Sequence, residues 1–162
     1  MFEYPKYKKV LFCTDFSDNA DYAFQYALGI AKRDDGLLYI LHVIPHNPNQ
    51  DYTKGLVKEE ILEKIQKRIE ADLDRKYREH YVNKLEKGDR FEIVTKSGRE
   101  DEEIINFAKR EKVDIIVMGS HGNTGIARVY FGSVAEKVFR RSPFPVFTIP
   151  PKKKLEFAYE AP

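Results

Sequence analysis

Val113-Asp114-Ile115-Ile116-Val117-Met118-Gly119-Ser120-His121-Gly122 is the stretch that decides how this chain is read. A short, nearly unbroken apolar run ending on glycine has the pattern of a strand buried on both faces. Asn123-Thr124-Gly125 follows. Ten residues after Gly122 comes Gly132-Ser133-Val134-Ala135-Glu136-Lys137-Val138, which reads as the first turns of a helix. Glycines let backbone N–H groups turn freely and approach an anion closely. A helix N-terminus adds unpaired N–H groups and the positive end of its dipole, and Ser133 adds a hydroxyl donor. Strand-to-helix loops usually run about 2–6 residues, and longer ones tend to carry function. A plain connection would explain two glycines. Four glycines, a Gly-Ser helix start and a long loop point to anion capture, and to a nucleotide above all.

Outward from that loop, strand and helix patterns alternate. Val10 to Thr14 is a continuous apolar run, and Ser17 is placed to cap a helix whose Ala20, Ala23, Phe24, Ala27, Leu28 and Ala31 recur at helical spacing. Asp35-Gly36 ends that helix, Leu37 to Val43 is a second apolar run, and Asn47-Pro48-Asn49 marks a loop. Phe91 to Lys96 alternates Phe91, Ile93 and Thr95 against Glu92, Val94 and Lys96, which suits an edge strand. Gly98 leads into a helix with acids at 100–103, where they favour the dipole, and a core face of Ile104, Ile105, Phe107 and Ala108. Pro143-Phe144-Pro145-Val146-Phe147-Thr148-Ile149 supplies the fifth strand, and Pro150-Pro151 closes the domain before a tail to Pro162. Five strands alternating with helices predict an α/β fold with parallel pairing and right-handed crossovers.

The segment 54–87 reads as one long charged helix. Its apolar residues step by four: Val57, Ile61, Ile65, Ile69, Leu73, Tyr77, Tyr81, Leu85. Each such step advances about 40° around a straight helix, so Val57 and Leu73 point about 160° apart and one flat sheet cannot cover the whole series. Either the helix bends and starts nearer Glu59, or one end meets something other than its own sheet. Mostly ordinary crossover packing is the expectation, with a partner surface at one end as the alternative. Glu60–Lys64, Glu63–Lys67 and Asp74–Arg78 have the i,i+4 spacing of a solvated outer face.

Composition narrows the function classes. The 162 residues make one domain, and 42% apolar with 33% charged residues describe a globular chain. A formal net charge of +2 gives no case for nucleic acid or an anionic membrane. The single cysteine, Cys13, allows no disulfide framework or cysteine metal cluster within the chain. No signal-like segment opens the sequence and no run approaches the roughly 20 apolar residues of a membrane span, so a cytoplasmic location is expected.

The spacing Gly119-x2-Gly122-x9-Gly132-Ser133 resembles the ATP-binding signature of the universal stress protein family. Residues 114–122 and 132–138, Val10-Leu11-Phe12-Cys13-Thr14-Asp15-Phe16-Ser17, Leu41-His42-Val43-Ile44 and the segment 143–149 are similar to that family's segments, in order, over residues 8 to 150. The resemblance implies a doubly wound five-stranded parallel sheet of order 3-2-1-4-5 with helices on both faces, occupying residues 1–150. In such a sheet the first and fourth strands end beside the crevice where the topology switches, and ligands bind there. It further implies an adenine nucleotide, ATP, and a homodimer that matches the final strands across a two-fold axis.

Site residues follow partly from chemistry and partly from that likeness. Ser133, at the helix start, and the amides of Gly122 and Ser133 are candidates for the phosphates, with Gly132 and Val134 beside them. Asp15 takes the nucleoside by resemblance and doubles as a local helix cap. Val43 matches the position whose backbone reads the adenine edge, though plain core would explain it too. Met118 and Gly119 line the same place. Cys13 stands where many nucleotide-binding relatives have proline, and no His or Lys beside it argues for a reactive thiol. His121, Thr124 and Arg128 are possible phosphate contacts, and His42 reads as a satisfied core histidine. There is no Gly-x4-Gly-Lys-Ser/Thr. Response-regulator and flavodoxin pockets are excluded: Thr95-Lys96 and Ile149-Pro150 end their strands without clustered acids and a late lysine, and residues 14–18 hold no glycine. The expected function is ATP-dependent regulation with little catalysis. A Mg2+ bridging phosphates would be held largely by water. The alternatives are a slow ATP hydrolase using His121 and Arg128, and a partner-binding module whose pocket is filled by Cys13 and Phe12 and whose unknown protein partner meets the long helix.

Overall fold

The computed structural model describes residues 1–46, 57–122 and 131–152. In chain order the elements are β1 (Lys9–Thr14), α1 (Asp18–Arg33), β2 (Leu37–Pro45), α2 (Glu59–His80), a short 3-10 turn (Val82–Lys84), β3 (Phe91–Gly98), α3 (Glu100–Glu111), β4 (Ile115–Gly119), α4 (Ser133–Arg141) and β5 (Val146–Ile149). The strands form one parallel sheet in the order β3-β2-β1-β4-β5, as the resemblance implied.

Because side chains alternate across a strand, the sheet has two cores. Val10, Phe12, Ile40 and Val117 face α1 and the end of α2, packing on Ala23, Phe24, Ala27 and Tyr81. Leu11, Cys13, Leu41 and Met118 face α3 and α4, packing on Ile104, Phe107, Ala135 and Val138. Small alanines along α1 let it lie close to the sheet over its whole length. Ser17 caps it by accepting from Ala20 N, at 3.2 Å. The fifth strand is shorter than its sequence pattern. Pro143 and Pro145 have no N–H to give, and regular pairing begins at Val146.

Two expectations are corrected. The long helix starts at Glu59 and ends at His80, and only its last turns join the core, through Leu73, Tyr77 and then Tyr81 and Leu85 beyond it. Ile61, Leu62, Ile65 and Ile69 are between 38% and 49% exposed, so ordinary crossover packing holds for one end alone. The steps of four carry the stripe around the helix, and by Ile69 it has turned off the sheet. Residues 54–56 lie outside the described residues. The edge strand β3 also differs from its alternation: Ile93 is exposed whereas Val94 is half-buried against the α3 side of the sheet.

Candidate functional site

β1 and β4 are neighbours, with Cys13 opposite Met118, and their C-terminal ends open on a cavity of about 370 Å³. That volume is in the range of small-molecule sites. Cys13, Asp15, Val43, Met118, Gly119, His121, Gly122, Gly132, Ser133 and Val134 all line it. Thr124 and Arg128 lie outside the described residues.

One half is backbone. β4 ends at Gly119, whose position has no room for a side chain: a Cβ there would lie 2.9 Å from Asn19 Oδ1. At Gly122 a Cβ would meet Asp15 Oδ2 at 2.6 Å, so a larger residue there would have to push that carboxylate aside. Gly132 packs against this turn and donates its N–H to the Ser120 carbonyl at 2.7 Å. That bond joins the two ends of the glycine segment and sets Ser133 as the first residue of α4, with Gly132 as its cap. The opening amides of α4 have no acceptor within the helix and stand at the cavity wall. Asp15 accepts from Ser17 N at 3.0 Å, the local cap anticipated for it.

The other half is side chain. Leu41 and Val43 of β2, Met118 of β4 and Ile104 of α3 make an apolar wall, with Cys13 at its base. Burial pushes the Cys13 thiol far above its ordinary pKa, which keeps it protonated and unreactive. Phe12 is fully buried in the opposite core, so neither it nor Cys13 fills the cavity. That removes the feature that would have favoured a blocked, partner-only module.

The charged side chains among the described lining residues are acidic. Asp15 and Glu100 line the cavity, and among the described lining residues there is no lysine or arginine. Burial lowers the pKa of His42 and favours its neutral ring, opposed by the hydrogen bond that its Nδ1 donates to the Thr14 carbonyl at 2.8 Å. Among the described residues no group of three His, Cys, Asp or Glu forms a metal site. Among the described lining residues, the donors available to an anion are backbone amides together with the Ser133 hydroxyl and the His121 ring.

Several lining or supporting residues gave no signal in the sequence. Asn19 occupies an early turn of α1, where an asparagine ordinarily faces water, yet it is buried. Its Nδ2 donates to the Ile149 carbonyl at 3.0 Å, and its Oδ1 accepts from His121 N at 2.9 Å. Ser120 Oγ and His121 Nδ1 share a bond of 2.7 Å. Phe16 adopts a left-handed backbone with φ of 60°. Its ring is held among His42, Tyr77, His80 and Tyr81, which anchors the turn that carries Asp15. Thr14 Oγ1 bonds Tyr81 OH and accepts from Phe16 N. Glu100, a helix-dipole acid by its sequence position, belongs to the cavity lining.

Comparison with known proteins agrees with this architecture. The model of the Universal stress protein family matches residues 6–150. Universal stress protein MJ0577 of Methanocaldococcus jannaschii is 33% identical over 153 residues, 88% of this chain and 94% of its own length. The solved structure of MJ0577 has a TM-score of 0.72 at 29% identity, covering 91% of this chain and 99% of that one. A universal stress protein solved in complex with cAMP, 23% identical, shares the fold with a TM-score of 0.61, covering 91% of this chain and 100% of that one.

Proposed function

The chain belongs to the universal stress protein family, and on that premise we propose that it is a nucleotide-dependent regulatory protein that binds ATP at the crevice between β1 and β4. The observation that carries the reading is the junction of a glycine-built rim with an apolar wall in one cavity. Phosphates meet the amides of Gly122 and Ser133, the Ser133 hydroxyl and the positive end of α4. The base lies against Val43, Met118 and Ile104, and Asp15 takes the ribose. Thr124, His121 and Arg128 are further phosphate contacts in this reading. The acidic lining fits a nucleotide that brings Mg2+ with its phosphates, the ion held by water and phosphate oxygens. Calorimetry with ATP, ADP and AMP tests the reading, and the absence of saturable binding at millimolar ligand overturns it.

Binding with little turnover is preferred to hydrolysis because His121, the candidate acid–base group, is tied through Nδ1 to Ser120. Phosphate release above that of His121→Ala and Ser133→Ala would reverse this preference. In the same reading the protein is cytoplasmic, and among the described residues no helix is long and apolar enough to cross a membrane.

The proposed assembly is a homodimer through β5. That strand ends the sheet, and its Phe147 is 41% exposed. An open apolar edge invites pairing, and a two-fold axis would close it symmetrically. Phe147→Asp is expected to shift the dimer toward monomer in light scattering. A wild-type mass near 19.0 kDa at micromolar concentration would rule the dimer out.

A further inference from the structure

We propose that Glu100 selects the base: its carboxylate accepts from the exocyclic amino group of a 6-aminopurine and rejects a 6-oxopurine. The inference rests on the nucleotide reading above and adds a residue to it. β3 ends with Gly98 beside Pro45 of β2, and His46 N donates to the Gly98 carbonyl at 3.1 Å. Glu100, two residues on, opens α3 and lines the cavity, as Pro45 does. Ile104 follows at i+4, on the same helix face, and belongs to the apolar wall with Leu41 and Val43. Glu100 is thus joined to the apolar wall through its own helix, with the Asp15 carboxylate near enough for its charge to act on it. Asp15 belongs to the glycine half, 2.6 Å from where a Gly122 side chain would begin.

A carboxylate in the cavity lining repels phosphate, so its ligand partner is an uncharged group with hydrogen to donate. Among the described residues none donates a hydrogen bond to Glu100. Its carboxyl is held above the ordinary range by burial and by the negative charges of Asp15 and Asp101, with Lys137 of α4 opposing them. Asp101 itself is buried and paired with Arg141, which fixes the first turn of α3 and with it the position of Glu100. A 6-amino group has two hydrogens. One can meet the backbone at Val43, and the other is left for a side-chain acceptor. A 6-oxo group at the same place would set a carbonyl oxygen against the carboxylate.

The test compares ATP with inosine triphosphate, which differs at this group, on wild type, Glu100→Gln and Glu100→Ala. Wild type is expected to prefer ATP about tenfold or more, the effect of one charge-assisted hydrogen bond gained against one repulsion. Glu100→Ala brings the two affinities together by weakening ATP. Glu100→Gln brings them together by strengthening inosine triphosphate, since an amide N–H can donate to the 6-oxo group. An unchanged ratio in both variants overturns the proposal and leaves the nucleotide site standing. An equal loss for both ligands in Glu100→Ala, absent with 2′-deoxy-ATP, also overturns it and assigns Glu100 to the sugar. Wild type that binds neither triphosphate overturns the site itself.

Discussion

On its glycine side the cavity offers backbone, from Gly119, Gly122 and the first amides of α4, whereas its other lining offers the side chains of Leu41, Val43, Ile104, Met118 and Glu100. The two rims fail differently. A backbone rim has no side chain to lose, and it is damaged by adding atoms where the chain approaches itself. A side-chain rim is altered by every substitution, each by the small amount that one group contributes. The first suits a ligand's charge, common to all nucleotides, and the second suits its identity.

The largest effect is expected from adding atoms at the backbone rim. Gly122→Val must displace Asp15, since even a Cβ would lie 2.6 Å from its Oδ2. Losing two charge-assisted contacts costs about 3 kcal/mol or more, or roughly a hundredfold in ATP affinity. Titration calorimetry beside a thermal melt checks it, and near-native affinity in a folded variant would show that the rim yields. Next comes Ser133→Ala, for which about a tenfold loss is expected for ATP and little for AMP. Equal losses would mean that Ser133 does not reach the outer phosphates, and the division between the rims would then be misplaced.

On the opposite rim, Cys13→Ala removes one small buried group and should cost about fivefold at most. Its mark is equality: ATP and AMP should weaken alike, because the base is common to both. A loss confined to ATP would break the comparison. The smallest effect concerns His42, between the rims. Its pKa is lowered from the ordinary 6.5 in the folded protein, so below 6.5 the unfolded chain binds the extra proton more readily. Stability is then fully present above 6.5 and declines as pH falls through the lowered folded value. Urea midpoints of wild type and His42→Gln on both sides of 6.5 measure this, and a wild type that gains stability on acidification relative to the variant contradicts it.

Much of the fold was legible because the strands at the centre of the sheet are buried on both faces and read as unbroken apolar runs. The glycine spacing located the loop, and Ser17 announced its cap. Less legible were residues whose role is set by elements distant in sequence. Asn19 carries the usual signature of a solvated helix start, and only β5, arriving from the far end of the chain, makes it a buried linker. The stripe from Ile61 to Ile69 has the spacing of a packed face, but its phase relative to the sheet is fixed by Tyr77 and Tyr81 at the other end of the segment. Glu100 among three further first-turn acids is indistinguishable from them until the cavity beside it is seen. Periodicity reports that a face exists, and the neighbouring elements determine what it meets.

Asn19 also sets an order of events during synthesis. Its two hydrogen bonds hold the turn at His121 on one side and the end of β5 on the other, 130 residues further along the chain. A nascent chain that has emerged only as far as α4 already contains every glycine of the loop. It lacks Ile149, so Asn19 has one of its two anchors missing and the Ser120 amide has lost its acceptor. β5 must emerge and pair with β4 before this turn is clamped, so the loop gains its second anchor only after all of its own residues are present.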